Sequence, residues 1–116
     1  MTNYRRGDVI LVLFPHSDLR TAQKRPALVV QADDLQTGLD QLIVAMITSN
    51  LKRAGHPSRY LIPLDSEAGR ESGLLTDSVV MKDNLATVFL VAINRRIGSL
   101  PNMKPVNAAL RVTLGL

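Results

Sequence analysis

Residues 7–15 read GDVILVLFP, an aliphatic and β-branched run that begins at a glycine and ends at a proline. A run of this composition between turn-forming residues predicts a β-strand over Gly7–Phe14 that breaks at Pro15. Pro26 is expected at the first position of the next strand, where its missing N–H does least harm to a sheet. Comparable runs predict six further strands, at 26–31, 42–48, 58–64, 78–81, 86–91 and 95–100.

The segments between these runs are polar and predict loops. Residues 16–24 and 50–57 are expected to be exposed loops, and 65–77 a connection with room for one short turn of helix. From Pro101 onward apolar side chains recur at helical spacing, which predicts one C-terminal amphipathic helix. Many short strands followed by a helix favour a β-rich α+β fold, a small curled sheet or barrel. The apolar positions of the helix are Met103, Val106, Leu110 and Leu114.

Length and composition indicate one globular domain. A chain of 116 residues fits a single core, here a domain over 1–116. Hydrophobic residues make up 46% and charged residues 21%, which excludes a disordered chain. We expect no membrane span and no secretory signal, and the lack of cysteine fits a cytosolic protein. The net charge of +4 would attract phosphate backbones and acidic protein segments.

The chain has few residues suited to metal or covalent chemistry. His16 and His56 are its only histidines, and no carboxylate cluster surrounds them in the sequence. No Gly-x-Ser-x-Gly or Gly-rich phosphate loop occurs. We therefore expect no metal and no cofactor. RNA suits such a chain because its own 2′-OH can attack the adjacent phosphate, and the protein needs to orient the groups, move a proton and stabilise charge.

Five sequence segments, in this order along the chain, resemble the MazF/PemK toxin family. They are GDV at 7–9, FP at 14–15, KRPALV at 24–29, ITS at 47–49 and RIGSL at 96–100. The resemblance implies an SH3-like β-barrel with a C-terminal helix. It also implies an endoribonuclease toxin of a type II toxin–antitoxin system that cuts single-stranded messenger RNA, leaving a 2′,3′-cyclic phosphate and a 5′-OH. The implied partners are a second copy in a homodimer, whose joint surface forms the RNA groove, and a cognate antitoxin with an acidic, partly disordered segment, with which it would bind DNA.

The resemblance also implies roles for individual residues. Arg25 would be the catalytic cation, since a guanidinium pairs two phosphate oxygens at once, and Thr48 would orient the phosphate or the 2′-OH. His16 would serve acid–base chemistry, and Asp83 matches an active-site aspartate of some relatives. Each has a structural alternative: a loop-capping arginine, a strand threonine bonded locally, a loop histidine, a turn aspartate. The predicted RNA-binding residues are Lys24, Ser49, Asn50, Lys52, Arg53 and Asn84.

The chain departs from the family pattern at three positions. Relatives commonly read Asp-Gln-x-Arg-Thr where this chain has Asn84 and Ala86, and some place an arginine at the position of Met81. One alternative is therefore a catalytically impaired member that only binds RNA or antitoxin. Another is a non-enzymatic toxin resembling the CcdB-type gyrase inhibitors. An aromatic content of 3% argues against an RNA-binding module that works by base stacking.

Overall fold

The computed structural model describes residues 4–15 and 22–116, which form one antiparallel sheet and two α-helices. The elements are β1 Asp8–Pro15, β2 Ala22–Val29, β3 Gln41–Thr48, β4 Arg59–Ile62, α1 Glu67–Ser72, β5 Ser78–Phe89, β6 Ile93–Ser99 and α2 Lys104–Leu114, with 3₁₀ helices at Leu51–Arg53 and Leu90–Ala92. The strand order is β4-β5-β3-β2-β1-β6. The predicted β-rich α+β fold is confirmed, and the sheet is barrel-like but open, because within the described residues the edge strands β4 and β6 do not pair.

Both faces of the sheet are covered by apolar side chains. Successive residues of a strand point to opposite faces, so Val9 and Ile10 enter different clusters. One face, here called the helix face, includes Val9 of β1 packed with Val106 of α2. The opposite face, here called the far face, includes Ile10, Val12 and Val44. This double burial explains why the strands read as continuous apolar runs rather than as alternating ones.

The second strand begins earlier than predicted. It starts at Ala22, so Pro26 lies inside it, and the prediction that Pro26 opens the strand was wrong. The cause is the long pairing with β1, which continues to Ala22 opposite Pro15. Pairing with β3 covers only Ala27–Val29 and ends beside Pro26, which has no N–H to extend it. The start of β2 is therefore paired on one side only.

The fifth strand is continuous where two strands were predicted. Ala45 of β3 lies opposite Leu85, but its neighbour Met46 lies opposite Met81, so residues 82–84 form a bulge in β5. The polar side chains of this bulge interrupt the apolar pattern and suggested a break. The strand itself runs on because β4 still pairs with its first half.

Lys82, in this bulge, is fully buried on the helix face. Its Nζ has no hydrogen-bond partner among the described residues and lies 4.7 Å from the centroid of the Tyr60 ring. Burial lowers the pKa of Lys82 to about 7, because a charged ammonium is poorly solvated there.

The two α-helices pack on the sheet, α1 on β6 and α2 on β4 and β5. Helix α1 is capped by Ser66, whose hydroxyl accepts from the Gly69 N–H, and it ends at Gly73 in a left-handed conformation, with φ of 74°. A Cβ at Gly73 would meet the Ile97 carbonyl, so α1 lies directly on β6. The C-terminal helix α2 is confirmed and buries Val106. No helix in residues 4–15 and 22–116 has the length and apolar character that crossing a bilayer requires.

Candidate RNA-binding and catalytic site

A groove of about 540 Å³ opens where β2 and β3 separate. Its walls come from the start of β2, the end of β3, the segment 73–78 and part of β6. Four predicted site residues line it: Lys24, Arg25, Thr48 and Ser49. The structure therefore brings the two proposed catalytic residues together with two of the proposed RNA-binding residues.

Arg25 and Thr48 lie on one face of the sheet. The last paired residues of β2 and β3 are Ala27 and Met46, and two further steps along each strand reach Arg25 and Thr48. Because directly opposed residues of an antiparallel pair share a face, both side chains belong to the far face. They lie beyond the end of the ladder, where backbone hydrogen bonds between the two strands have stopped.

With respect to the residues that the structure describes, the donors of this pair remain available to an anion. The Thr48 hydroxyl accepts from the Asn50 N–H at 3.1 Å, which leaves its own O–H to donate. Arg25 is exposed, and its Nη2 donates to Gln23 Oε1 at 3.5 Å, beyond the usual hydrogen-bond distance. A guanidinium and a hydroxyl in this arrangement can bind phosphate oxygens.

A chain of hydrogen bonds leads from Thr48 along the next loop. Asn50 donates to Thr48, and its Oδ1 accepts from the Lys52 N–H at 3.2 Å, which caps the 3₁₀ helix. The Arg53 carbonyl in turn accepts from Arg59 Nη1 at 3.2 Å. Asn50, Lys52 and Arg53 do not line the groove, but these hydrogen bonds connect them to Thr48 at its edge.

Asp83 is engaged by Arg59 rather than facing the groove. Arg59 Nη2 lies 2.8 Å from Asp83 Oδ2, and Arg59 Nε donates to Oδ1 at 3.4 Å. The hydrogen bond from Arg59 lowers the pKa of Asp83, so its carboxylate is ionised at neutral pH and cannot act there as a proton donor. Asn84 is exposed in the same bulge, away from the groove. His16 lies outside the described residues.

Two arginines that the sequence reasoning did not assign belong to this region. Arg95 of β6, opposite Leu11, lines the groove. The next residue, Arg96, instead forms an ion pair in which its Nε lies 3.0 Å from Asp8 Oδ1. The second arginine is Arg59, which donates to Asp83. No local sequence pattern links these two residues, because they lie 24 positions apart. In the part of the chain that the structure describes, no group of three or more His, Cys, Asp and Glu side chains could hold a metal ion.

The chain is similar to toxins of one family. Residues 5–114 match the family described as PemK-like, MazF-like toxin of type II toxin–antitoxin system. The protein named endoribonuclease MazF2, from Mycobacterium bovis, is 33% identical over 107 residues, which is 90% of this chain and 90% of that protein.

Solved structures share the fold. A mycobacterial endoribonuclease in complex with its cognate antitoxin has a TM-score of 0.74 at 20% identity, covering 97% of this chain and 96% of that one. A MazE–MazF structure from Deinococcus radiodurans has a TM-score of 0.73 at 18% identity, covering 99% of both chains.

Proposed function

The chain belongs to the PemK-like, MazF-like toxins of type II toxin–antitoxin systems, and on that premise we propose that this endoribonuclease cuts single-stranded RNA by attack of a 2′-OH on the adjacent phosphate. The observation that carries the proposal is the placement of Arg25 and Thr48 in one groove and on one sheet face, two residues beyond the end of the β2–β3 ladder. A metal ion is not needed for this reaction, because the nucleophile belongs to the substrate.

In the proposed reaction a bond forms between the 2′-oxygen and phosphorus, and the bond from phosphorus to the 5′-oxygen breaks. The 2′-OH loses a proton and the departing 5′-oxygen gains one, so the products are a 2′,3′-cyclic phosphate and a 5′-OH. Arg25 would stabilise the charge that builds on the phosphorane oxygens, and the Thr48 hydroxyl would fix one of them. His16 is proposed to carry a proton, since an ordinary histidine titrates near neutrality.

Charge around the groove supports RNA and antitoxin as ligands of one surface. Lys24 and Arg95 line the groove with Arg25, and Lys52 and Arg53 stand on the adjoining 3₁₀ helix. Such a surface would bind a phosphate backbone or an acidic, partly disordered segment of a cognate antitoxin. We propose that the two ligands compete and that the protein acts in the cytosol.

An exposed leucine supports the proposed homodimer. Leu75 lines the groove and is 92% exposed. Contact with a second copy would remove this apolar side chain from water, which favours association. A second copy covering Leu75 would extend the groove over the joint surface.

The experiment is to incubate the purified protein with a long RNA in EDTA and to map the ends. Discrete cuts with a cyclic phosphate and a 5′-OH are expected. Arg25→Ala should lower the rate by ~10²–10³, the usual effect of removing one oxyanion-stabilising group. Its thermal midpoint should stay nearly unchanged because Arg25 is exposed.

Arg111→Ala, on the exposed surface of α2, is the matched control and should cut normally. Cutting that requires added Mg²⁺ would contradict the metal-independent route. Full activity of Arg25→Ala would contradict the assignment of that residue, and no cutting by the wild type would contradict the proposed function as a whole.

A further inference from the structure

Arg59 lies on the same sheet face as Arg25 and Thr48. Arg59 is opposite Met81 in the β4–β5 ladder, and Met81 is opposite Met46 in the β5–β3 ladder. Opposed residues share a face, so this row continues the far face beyond the catalytic pair. Three strand spacings separate β2 from β4, which places Arg59 roughly 15 Å from Arg25 across the sheet.

The Arg59 guanidinium is held in place by hydrogen bonds that do not use all of its N–H donors. It donates twice to Asp83 and once to the Arg53 carbonyl. A guanidinium has five N–H bonds, and the described residues accept three of them. The other two can donate to a ligand. The pair is also accessible, since the side chains of Arg59 and Asp83 are 21% and 33% exposed.

The pair suits a nucleobase better than a phosphate. Asp83 offsets the charge of Arg59 and would repel a phosphate, which has only acceptors. The edge of a base displays donors and acceptors side by side, which match the free N–H bonds of Arg59 and the carboxylate of Asp83. The half-buried side chains of Met46 and Met81 lie between this pair and the catalytic residues. Their thioethers give a surface that the face of a base can contact.

We propose that the Arg59–Asp83 pair binds the edge of one nucleobase and sets the base preference at one position of the cleaved RNA sequence. This inference rests on the proposed function, because it requires RNA with its reacting phosphate at Arg25 and Thr48. The strand would then run across the far face from β2 toward β4. Asp83 accepts a hydrogen bond from the base and holds the Arg59 guanidinium in position. Asp83 thus has a role in RNA binding although it lies outside the groove.

The test compares the cutting of one long RNA by the wild type, Arg59→Gln and Arg70→Gln. Arg70 is the matched control, since it is an exposed arginine of α1 lying 3.7 Å from an aspartate. Arg59→Gln is expected to keep cutting while its preference at one position of the motif falls about tenfold, the effect of losing a bidentate base contact. Arg70→Gln should keep the wild-type motif.

The affinity of each protein for the RNA is measured in parallel at a series of salt concentrations. A base contact leaves the slope of log affinity against log salt unchanged, whereas a lost phosphate contact lowers it by about 0.7 for single-stranded RNA. If Arg59→Gln unfolds, Arg59→Lys keeps a cation beside Asp83 without the planar fork and is expected to weaken the same preference.

Three results would overturn the inference: an unchanged motif, a lower salt slope with the motif retained, or complete loss of cutting by a folded variant. An unchanged motif in Arg59→Gln with an active wild type removes only this inference. A wild type that cuts no RNA removes the proposed function first, and this inference with it.

Discussion

Replacing the buried Lys82 by methionine should stabilise the protein, and the gain should depend on pH. Lys82 is fully buried, its Nζ has no hydrogen-bond partner among the described residues, and burial lowers its pKa from 10.5 to about 7. That difference corresponds to about 5 kcal/mol at 1.36 kcal/mol per pH unit. The contact with the Tyr60 ring offsets ~1–2 kcal/mol. We expect Lys82→Met to raise the free energy of unfolding at pH 6 by about 3–4 kcal/mol.

The direction with pH follows from the two protonation states. Between pH 7 and 10.5 the folded protein holds a neutral Lys82 while the unfolded chain holds a charged one, so unfolding takes up a proton. The wild type therefore gains stability from this group as pH rises above 7, by about 1.4 kcal/mol per unit. Methionine does not titrate, so the advantage of the variant should shrink at that rate.

The assay is urea unfolding of both proteins at pH 6, 7, 8 and 9, reported as the difference in unfolding free energy. The difference cancels the other titrating groups. Lys104→Met, at the exposed first residue of α2, is the control and should change stability by less than ~0.5 kcal/mol at every pH. A difference for Lys82→Met that is independent of pH, or a loss of stability at pH 6, would refute the reasoning.

Three further predictions test the site and its support. Thr48→Val should lower the cutting rate by ~10² because it deletes the hydroxyl, while Thr48→Ser should retain it; equal rates in single-turnover assays would leave Thr48 a structural residue. Gly73→Ala should destabilise by ~1–3 kcal/mol in urea unfolding, since φ is 74° and a carbonyl of β6 blocks a Cβ. Gly55→Ala, with φ of 91° but open space, should lose less. Lys52→Glu with Arg53→Glu should weaken RNA and antitoxin binding together, and normal antitoxin binding in titrations would argue against a shared surface.

Local composition was sufficient to predict most elements of the fold. Strands β1 and β3 and helix α2 follow from apolar runs and helical spacing in single segments. The errors lie where pairing between segments decides the outcome. The early start of β2 depends on its pairing with β1 up to Pro15, and the continuity of β5 depends on a bulge that only β3 and β4 reveal.

The site divides in the same way. Lys24 and Arg25, and likewise Thr48 and Ser49, are short stretches that the family resemblance identifies, and the structure gathers them at one groove. Arg59 could not be found from sequence, because its relation to Asp83 requires the β4–β5 register.

The departure at Met81 shows what this limitation means for function. A linear comparison finds no arginine at that position and suggests impaired RNA binding. On the sheet, however, the residue directly opposite Met81 is Arg59, which presents a guanidinium on the same face. Binding depends on which groups occupy a face, and in an antiparallel sheet adjoining strands contribute to it equally. The absence of an arginine at position 81 therefore does not by itself argue for an inactive protein. The base preference of Arg59→Gln measures how far the guanidinium on the neighbouring strand replaces the missing one.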